Sequence, residues 1–188
     1  MRPLVERDLI TAYRMFVPTT VEIINSGKEA FPMVWFLQMH KQRPGIVTRI
    51  AMLDAKLVAE SHQSPETKRL LMGMIKATLG VPGAESVDLR GMLAKDGDFD
   101  AHIAVQVAEA WVVAHTPGEP LPVPSERPDR REMLHVNLHV RERTYGKSLP
   151  IQTVDGRRHC KFVGWCPSDT RGAQVQFGTF SIQQEPLP

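Results

Sequence analysis

The sequence predicts an α+β domain: an antiparallel sheet of about four to six strands that carries helices mainly on one face. Two observations support this fold class. Hydrophobic residues recur at helical spacing up to about Leu79, and the period changes to two after His102. Helical spacing is typical of an amphipathic helix, whereas alternation is typical of a strand. Short connections between the later strands favour an antiparallel meander.

The length of 188 residues fits a single domain, because domains commonly hold about 100–150 residues. Within residues 1–188 we distinguish an N-terminal helical segment (1–30), a strand pair with a central helix (31–100) and the antiparallel sheet (102–188). A proline-rich stretch within the last part, residues 117–130, predicts an extended connector.

Local signals predict the elements of the first half. Pro3 to Phe16 is expected to be an amphipathic helix that Pro18 ends, with a second short helix from Thr19 to Asn25. The almost wholly apolar run from Phe31 to Gln38 predicts a buried strand, with Ile46 to Leu53 as its hairpin partner. The sequence leaves open whether this pair joins the main sheet.

The strongest helix signal covers Pro65 to Leu79. Ser64 is a good N-cap, and Gly80 follows the last apolar position, where a left-handed backbone commonly ends a helix. Residues 83–101 are expected to be mostly loop, since they hold glycines, aspartates and only a short apolar interval.

Alternation defines the strands of the second half. Residues His102 to Ala114 are apolar on both faces, which is typical of a strand in the middle of a sheet. Glu132 to Glu142 alternates cleanly, and Arg158 to Cys166 and Gln174 to Gln183 are expected to be further strands. Asp155-Gly156 supplies turn chemistry ahead of the first of these two.

Composition argues against several classes of protein. The hydrophobic fraction of 42% and the charged fraction of 23% are near globular averages and argue against wholesale disorder. Glu6, Arg7 and Asp8 stand where a secretory leader would be apolar, and no apolar run approaches about 18 residues, so no membrane association is predicted. Cys160 and Cys166 would lie about 20 Å apart in one strand. We expect two reduced thiols in a cytoplasmic protein.

Three polar residues, His135, Asn137 and His139, share one face of a predicted strand. The favoured interpretation is a polar, solvated sheet face, with His115 and His159 on neighbouring strands; the alternative is a zinc site or a catalytic histidine pair. His135 and His139 would lie about 13 Å apart along the strand, too far to bind one ion together. No metal site is predicted.

Glu109 stands in the middle of an otherwise apolar strand face. A carboxylate in such a place must be paired, hydrogen-bonded or neutral. We expect a structural partner such as Arg130, Arg131 or Arg141, or a position at the edge of the sheet. A general acid or base is the alternative.

Motifs of cofactor and catalytic sites are missing from the sequence. It has no glycine-rich phosphate loop, no Gly-x-Ser-x-Gly elbow and no His-Glu-x-x-His helix, so no cofactor is predicted. Basic residues are denser in the C-terminal half, but acidic residues are interleaved with them, which is typical of a solvated sheet face. The net charge of +2 is too small to indicate nucleic acid by itself.

The strand Val107-Ala108-Glu109-Ala110-Trp111, the connector from Pro124 to Glu132 and the strand after it resemble a group of small proteins from phages, mobile elements and bacterial genomes. Members share an EAW strand, a P-x-x-x-P-D-R-x-E connector and a capped helix before them, and the resemblance covers about residues 60–150. The group has no established activity, so the resemblance implies kinship and no function. It directs attention to Glu109, Trp111, Asp129, Arg130 and Glu132. The binding candidates are Trp111, Asp129, Arg130, Arg131 and Glu132.

The first function hypothesis is a non-enzymatic protein-interaction module of phage or mobile-element origin. It would bind a protein partner, or itself, through the outer face or the edge of the sheet. Phe31, Trp35 and Phe36 supply apolar surface for such contacts, and an edge strand invites pairing.

Two other hypotheses belong to different classes. One is a small hydrolase or nuclease-like enzyme that uses Glu109 with His135 or His139, which requires these side chains to converge in one cleft. The other is nucleic-acid binding by the arginine-rich C-terminal half, with an affinity that falls steeply with salt.

Overall fold

The computed structural model describes residues 2–61, 64–84, 86–93, 99–112, 130–141 and 143–165. This part contains, in chain order, α1 (Glu6–Asn25), β1 (Met33–Met39), β2 (Val47–Met52), α2 (Ala55–Ser61), α3 (Pro65–Thr78), α4 (Arg90–Leu93), β3 (Ile103–Val112), β4 (Arg131–Val140), β5 (Arg143–Val154) and β6 (Arg157–Cys160). The strands form an antiparallel sheet in the order β2-β1-β3-β4-β5-β6. The predicted α+β class with an antiparallel sheet is confirmed.

The first helix, α1, runs without a break through Pro18 for 20 residues. Proline removes one backbone donor and commonly ends a helix. Here Tyr13, Val17, Val21 and Ile24, on both sides of the proline, are buried in the same core. Because this shared burial holds both halves against one sheet, the predicted division into two helices at Pro18 is wrong.

Asp8 anchors the start of α1. Its fully buried carboxylate accepts the backbone N–H groups of Val5 (2.9 Å) and Gly45 (2.7 Å), and both oxygens lie 2.7 Å from the guanidinium of Arg2. Burial alone would raise the pKa of Asp8, but the hydrogen bonds from Arg2, Gly45 and Val5 hold it below its usual value. These contacts tie α1 to the turn between β1 and β2.

Each face of the sheet has an apolar core of its own. On one face α1 packs against Leu37 of β1, Val105 of β3 and Leu138 of β4. On the opposite face the cluster with α2 and α3 includes Phe36 of β1 and Ala104 of β3. The helices therefore occupy both faces rather than mainly one. Alternate side chains of a strand point to opposite faces, so the apolar residues on both sides of β3 serve both cores.

The N-terminal hairpin belongs to the main sheet. Both of its predicted strands are present as β1 and β2, and β1 pairs with β3, with Met33 opposite Val107. This answers the question that the sequence left open and makes β2 one edge of the sheet.

The C-terminal strands differ from expectation. β5 was not predicted, because Gly146 and Pro150 interrupt its alternation. β6 ends at Cys160, so the strand predicted to continue to Cys166 is shorter. The expected connector at 117–130 and the strand Gln174 to Gln183 lie outside the described residues, except Arg130.

Residues after β6 return over α1 and help to hold the curled sheet around it. The Tyr13 hydroxyl donates to the Val163 carbonyl (2.8 Å), and its ring lies 5.3 Å from that of Trp165. Lys147 of β5 donates to the Gly164 carbonyl at 2.8 Å. The last strands are thus brought close to the N-terminal helix.

Candidate functional site

Glu109 is one of two carboxylates that share a single guanidinium. Its Oε2 contacts Nη2 of Arg158 on β6, and the same nitrogen lies 2.5 Å from Oε1 of Glu132 on β4. Oε1 of Glu109 also accepts the backbone N–H of Ala30 at 2.5 Å. The three charged side chains are only 14–19% exposed. Burial lowers the pKa of Arg158, but the bonds to both carboxylates outweigh it and raise that pKa overall.

The partner of Glu109 is therefore Arg158 and not one of the arginines named from the sequence. The guanidinium of Arg130 lies 4.4 Å from the centre of the Trp111 ring. Arg131 is the exposed first residue of β4, and Arg141 occupies a turn position with φ 48°. Sequence spacing offered no signal for Arg158, because only the curl of the sheet brings β6 to β3.

Three of the binding candidates, Trp111, Arg130 and Glu132, lie close together at the same end of β3 and β4. Trp111 pairs with Glu132 in the β3–β4 register and shares a face with Glu109. Trp111 is 41% exposed and carries Arg130 over its ring, whereas Glu132 is held by Arg158. Asp129 lies outside the described residues.

His135, Asn137 and His139 are buried, so the predicted solvated face is wrong. Nδ1 of His139 lies 2.9 Å from the Thr144 hydroxyl and Nε2 lies 3.0 Å from Oε1 of Gln106. Ala104 lies opposite His139 in the register and belongs to the core that α2 and α3 cover. The three polar residues therefore lie on the sheet face beneath α2 and α3. Alternation correctly placed the three residues on one face but did not show that the face is covered.

The buried histidines are neutral structural groups near neutral pH. Burial lowers the pKa of His135 to about 4, and burial together with the positive charge of Lys76 lowers that of His139 to about 4. Nδ1 of His135 is 2.8 Å from the Ser148 hydroxyl. Asn137 Nδ2 has no hydrogen-bond partner in the described part of the chain. A general base working at neutral pH needs a higher pKa than these imidazoles have.

The catalytic candidates do not converge. In the β3–β4 register Glu109 lies opposite Leu134, whereas Ala108 lies opposite His135. Neighbouring positions of a strand point to opposite faces, so Glu109 and the two histidines lie on opposite sides of the sheet. The structure therefore does not form the cleft that the hydrolase hypothesis requires from these residues.

The other polar candidates are also held within the fold. Cys160 is a buried free thiol, and burial, with Glu109 nearby, raises its pKa to about 11 against the opposing effect of Arg158. His159 is exposed on β6, while His115 and Cys166 lie outside the described residues. Among the described residues no group of three or more His, Cys, Asp or Glu side chains is placed to hold a metal ion.

His102, for which no role was predicted, lies in a polar contact just before β3. Its Nδ1 accepts the backbone N–H of Met39 at 2.9 Å, and its Nε2 lies 3.0 Å from Oδ2 of Asp100. The only sequence signal was its position at the change of period. Both ring nitrogens are occupied, so the contact joins the ends of β1 and β3.

The edge strand β2 presents unpaired backbone groups and apolar side chains. Leu53 donates its N–H to the Val34 carbonyl of β1 (2.9 Å), so Leu53, Ala51 and Arg49 direct their backbone groups towards β1. Ile50 and Met52 therefore direct their N–H and C=O groups away from the sheet. At Thr48 a bulge interrupts this alternation, and the Thr48 hydroxyl donates to the Gln38 carbonyl of β1 at 3.0 Å. Ile50 and Met52 are also 49% and 51% exposed. Within the described part of the chain, no strand pairs with this side of β2.

The opposite edge, β6, is protected. The side chain of Asn25 accepts the Cys160 N–H (2.7 Å) and donates to the Cys160 carbonyl (3.1 Å), as a neighbouring strand would. The strand has only four residues and carries Arg157 and Arg158. Short, charged or covered edges are how sheets avoid unwanted pairing. Within the described ranges, β2 is the edge of the sheet that no other segment pairs with.

Comparisons with known proteins add no family. No protein-family model, curated protein or solved structure matches this chain. The resemblance to the phage and bacterial group accordingly stays a prediction. No helix in the described residues combines the length and the apolar content that crossing a bilayer requires.

Proposed function

We propose that this protein is a non-enzymatic interaction module that takes up an extended protein segment as an additional strand beside β2. The observation that carries the proposal is the pair of residues with outward backbone groups, Ile50 and Met52. In strand addition, such groups bind the main chain of the incoming segment, and side-chain contacts select its sequence.

The side chains around this edge suit an apolar segment. Ile50 and Met52 share a sheet face with Trp35, which lies opposite Met52. The Trp35 ring stacks on that of Phe16 at 4.3 Å, so the exposed side chains of β2 continue an aromatic pair. Phe31 and Phe36 were both expected to supply apolar contact surface. Phe31 is exposed, but Phe36 is buried in the core and supplies none.

The arrangement of the charged groups favours binding over catalysis. Glu109 and Glu132 are occupied by Arg158, and the buried histidines have pKa values of about 4. Several basic groups are likewise engaged: Arg158 with the carboxylates, Arg130 with Trp111 and Lys147 with the Gly164 carbonyl. These contacts leave less basic surface for nucleic acid than the sequence suggested.

Selection from a displayed library of ten-residue peptides tests strand addition. We expect enriched peptides with alternating apolar residues, and their binding should be abolished by Ile50→Pro. Proline at this position removes an outward N–H and no bond to β1, so the hairpin should stay folded. Ile50→Thr is the matched control, because it keeps the N–H and should retain binding with reduced affinity.

A urea titration of each variant shows whether the fold is kept. If Ile50→Pro unfolds the protein, Met52→Lys provides the second variant, because a lysine on an edge opposes pairing without changing the backbone. Peptides that bind the wild type and a folded Ile50→Pro or Met52→Lys variant equally well would contradict strand addition at β2.

A further inference from the structure

We infer that the segment taken up at β2 is an apolar strand with an acidic C-terminal end. Its alternating apolar residues pair beside Ile50 and Met52, and the carboxylates that follow them lie against the basic turn before β2. The inference rests on the proposed function and names the chemistry of the partner. It follows from the apolar surface beside β2 and from the charges at the two ends of this strand.

The apolar surface beside β2 continues onto α1. The Asp8 carboxylate accepts the Gly45 N–H just before β2, so this stripe of α1 faces the turn that leads into β2. Met15 follows Asp8 by seven positions and lies on the same stripe of the helix. Met15 is 39% exposed, and Ile50 and Met52 are 49% and 51% exposed. A strand beside β2 has α1 on one of its faces, so every second residue of the segment should be apolar.

The turn between β1 and β2 is basic. Lys41 and Arg43 are exposed there, and the exposed Arg7 of α1 has its side chain against the same turn. Asp8, the carboxylate that binds this turn, is fully buried and holds Arg2 with both of its oxygens. The other three basic side chains therefore give the start of β2 an excess of positive charge.

The charges at the far end of β2 are mixed. Asp54 caps α2 there, and Lys56 lies 3.8 Å from Glu60. The exposed Glu6 of α1 lines a pocket with Tyr145 of β5, on the other side of the helix from β2. Of the two ends of β2, the described residues give positive charge in excess to the start alone. Carboxylates on the incoming segment complement it there.

The direction of pairing determines which end of the segment is acidic. Every strand pair in the described sheet is antiparallel, and antiparallel pairing is the more stable kind. An antiparallel segment has its C-terminal end at the start of β2. The bulge at Thr48 ends the outward groups after Ile50, so the segment leaves the ladder there. Gly45 lies five positions before Ile50, so carboxylates about three to five positions beyond the residue opposite Ile50 reach the turn.

Peptide binding to the full chain provides the first test. We expect the displayed library to enrich peptides that carry Asp or Glu after their apolar stretch. The defined probe is a ten-residue peptide of alternating valine and threonine that ends in three glutamates. By fluorescence anisotropy it should bind about ten-fold more tightly than the same peptide ending in three glutamines, and about 0.5 M salt should remove most of this difference. A peptide with the glutamates at its N-terminal end controls for direction and should bind like the glutamine peptide.

Charge reversal on the protein identifies the contact. The double variant Lys41→Glu with Arg43→Glu should lose the preference for glutamates and prefer a peptide that ends in three lysines. Lys56→Glu, at the other end of β2, is the matched control and should keep the preference for glutamates. A urea titration shows that each variant is folded, and Lys41→Gln with Arg43→Gln replaces the double variant if the reversal unfolds it.

The outcomes separate this inference from the proposed function. Equal binding of the three peptides, or a preference for glutamates that survives the double variant, would overturn the inference. If these peptides still lose binding on Ile50→Pro, strand addition stands and only the acidic partner is wrong. If the glutamate peptide needs the basic turn but binds Ile50→Pro as well as the wild type, the contact is electrostatic and the proposed function fails too. A wild-type chain that binds no peptide would overturn both.

Discussion

The carboxylate of Glu109 on β3 contacts the guanidinium of Arg158 on β6, which is 49 positions later in the chain. The two strands are separated by β4 and β5 in the sheet. The contact forms because the sheet curls over α1, whose buried residues share one core with β1, β3, β4 and β5. The pair therefore joins the last strand to the middle of the sheet.

Replacing Arg158 should destabilise the fold. Arg158→Met leaves Glu109 and Glu132 close together, mostly buried and without their shared counter-charge. We expect the free energy of unfolding in urea to fall by about 2 kcal/mol, less than for a fully buried pair because the groups keep some solvent contact. Arg157→Met, at the exposed neighbouring position, is the control and should change little. Equal stability of the two variants would mean that the cluster contributes nothing.

The buried histidines should make stability depend on pH. Above pH 6.5 His135 and His139 are neutral in both states. Between pH 6.5 and about 4 the unfolded chain binds protons that the folded state excludes, so stability falls as the pH falls. The loss approaches about 3 kcal/mol for each histidine. Urea unfolding at half-unit pH steps measures it.

Two variants separate the histidine contribution from that of other groups. His139→Gln should reduce the slope of stability against pH by about one proton, since it removes one titrating group. His159→Gln, at an exposed position, should leave the slope unchanged. Asp8 does not contribute in this window, because its folded pKa is lowered and its stabilisation is lost only below its unfolded value of 3.8. An unchanged slope in His139→Gln would indicate that His139 is solvated.

Cys160 should react slowly with alkylating reagents. A rise in pKa from 9.0 to about 11 reduces the thiolate fraction at pH 8 by about 100-fold, and the thiolate is the reactive form. In a Cys166→Ser chain, iodoacetamide should modify Cys160 at least that much more slowly in the native state than in urea. Similar rates in the two states would show that β6 opens readily or that the thiol is accessible.

Asn25 should protect the β6 edge. Asn25→Ala removes both hydrogen bonds to the Cys160 backbone and should lower the free energy of unfolding by about 2 kcal/mol. The Cys160 amide should also exchange with deuterium faster. Ser26→Ala is the matched control, since the Ser26 hydroxyl donates to the Ile23 carbonyl of the adjoining helix and not to β6. Unchanged amide exchange in Asn25→Ala would contradict the protective role.

Elements with strong local signals were predictable from the sequence. α3 starts at the Ser64 cap, whose side chain accepts the Thr67 N–H, and ends before Gly80, where φ is +69°. The N-cap, the glycine that ends the helix and the apolar residues at helical spacing all lie within this short segment. Local chemistry therefore determines where α3 begins and ends. Strand β5 lacked such a signal, because Gly146 and Pro150 break its alternation and only pairing with β4 defines it.

For the candidate site, the sequence identified Glu109 as a carboxylate needing a partner but named the wrong arginines. It also grouped His135, Asn137 and His139 correctly and expected them to be solvated. In both cases the missing information was which distant segment packs against the face in question. Alternation determines which side chains share a face, whereas burial depends on what covers that face.

The sequence by itself determined the spacing of the hydrophobic residues. That spacing determines whether a segment is a helix or a strand and on which of its faces the apolar side chains lie. The tertiary structure decided that α1 continues through Pro18, that Arg158 serves two carboxylates and that β2 has no strand on its outer side among the residues the structure describes. These outcomes depend on contacts between segments far apart in the chain. The free energy of these tertiary contacts exceeds that of the local conformational preferences. No pattern within a short segment encodes which distant segments will meet.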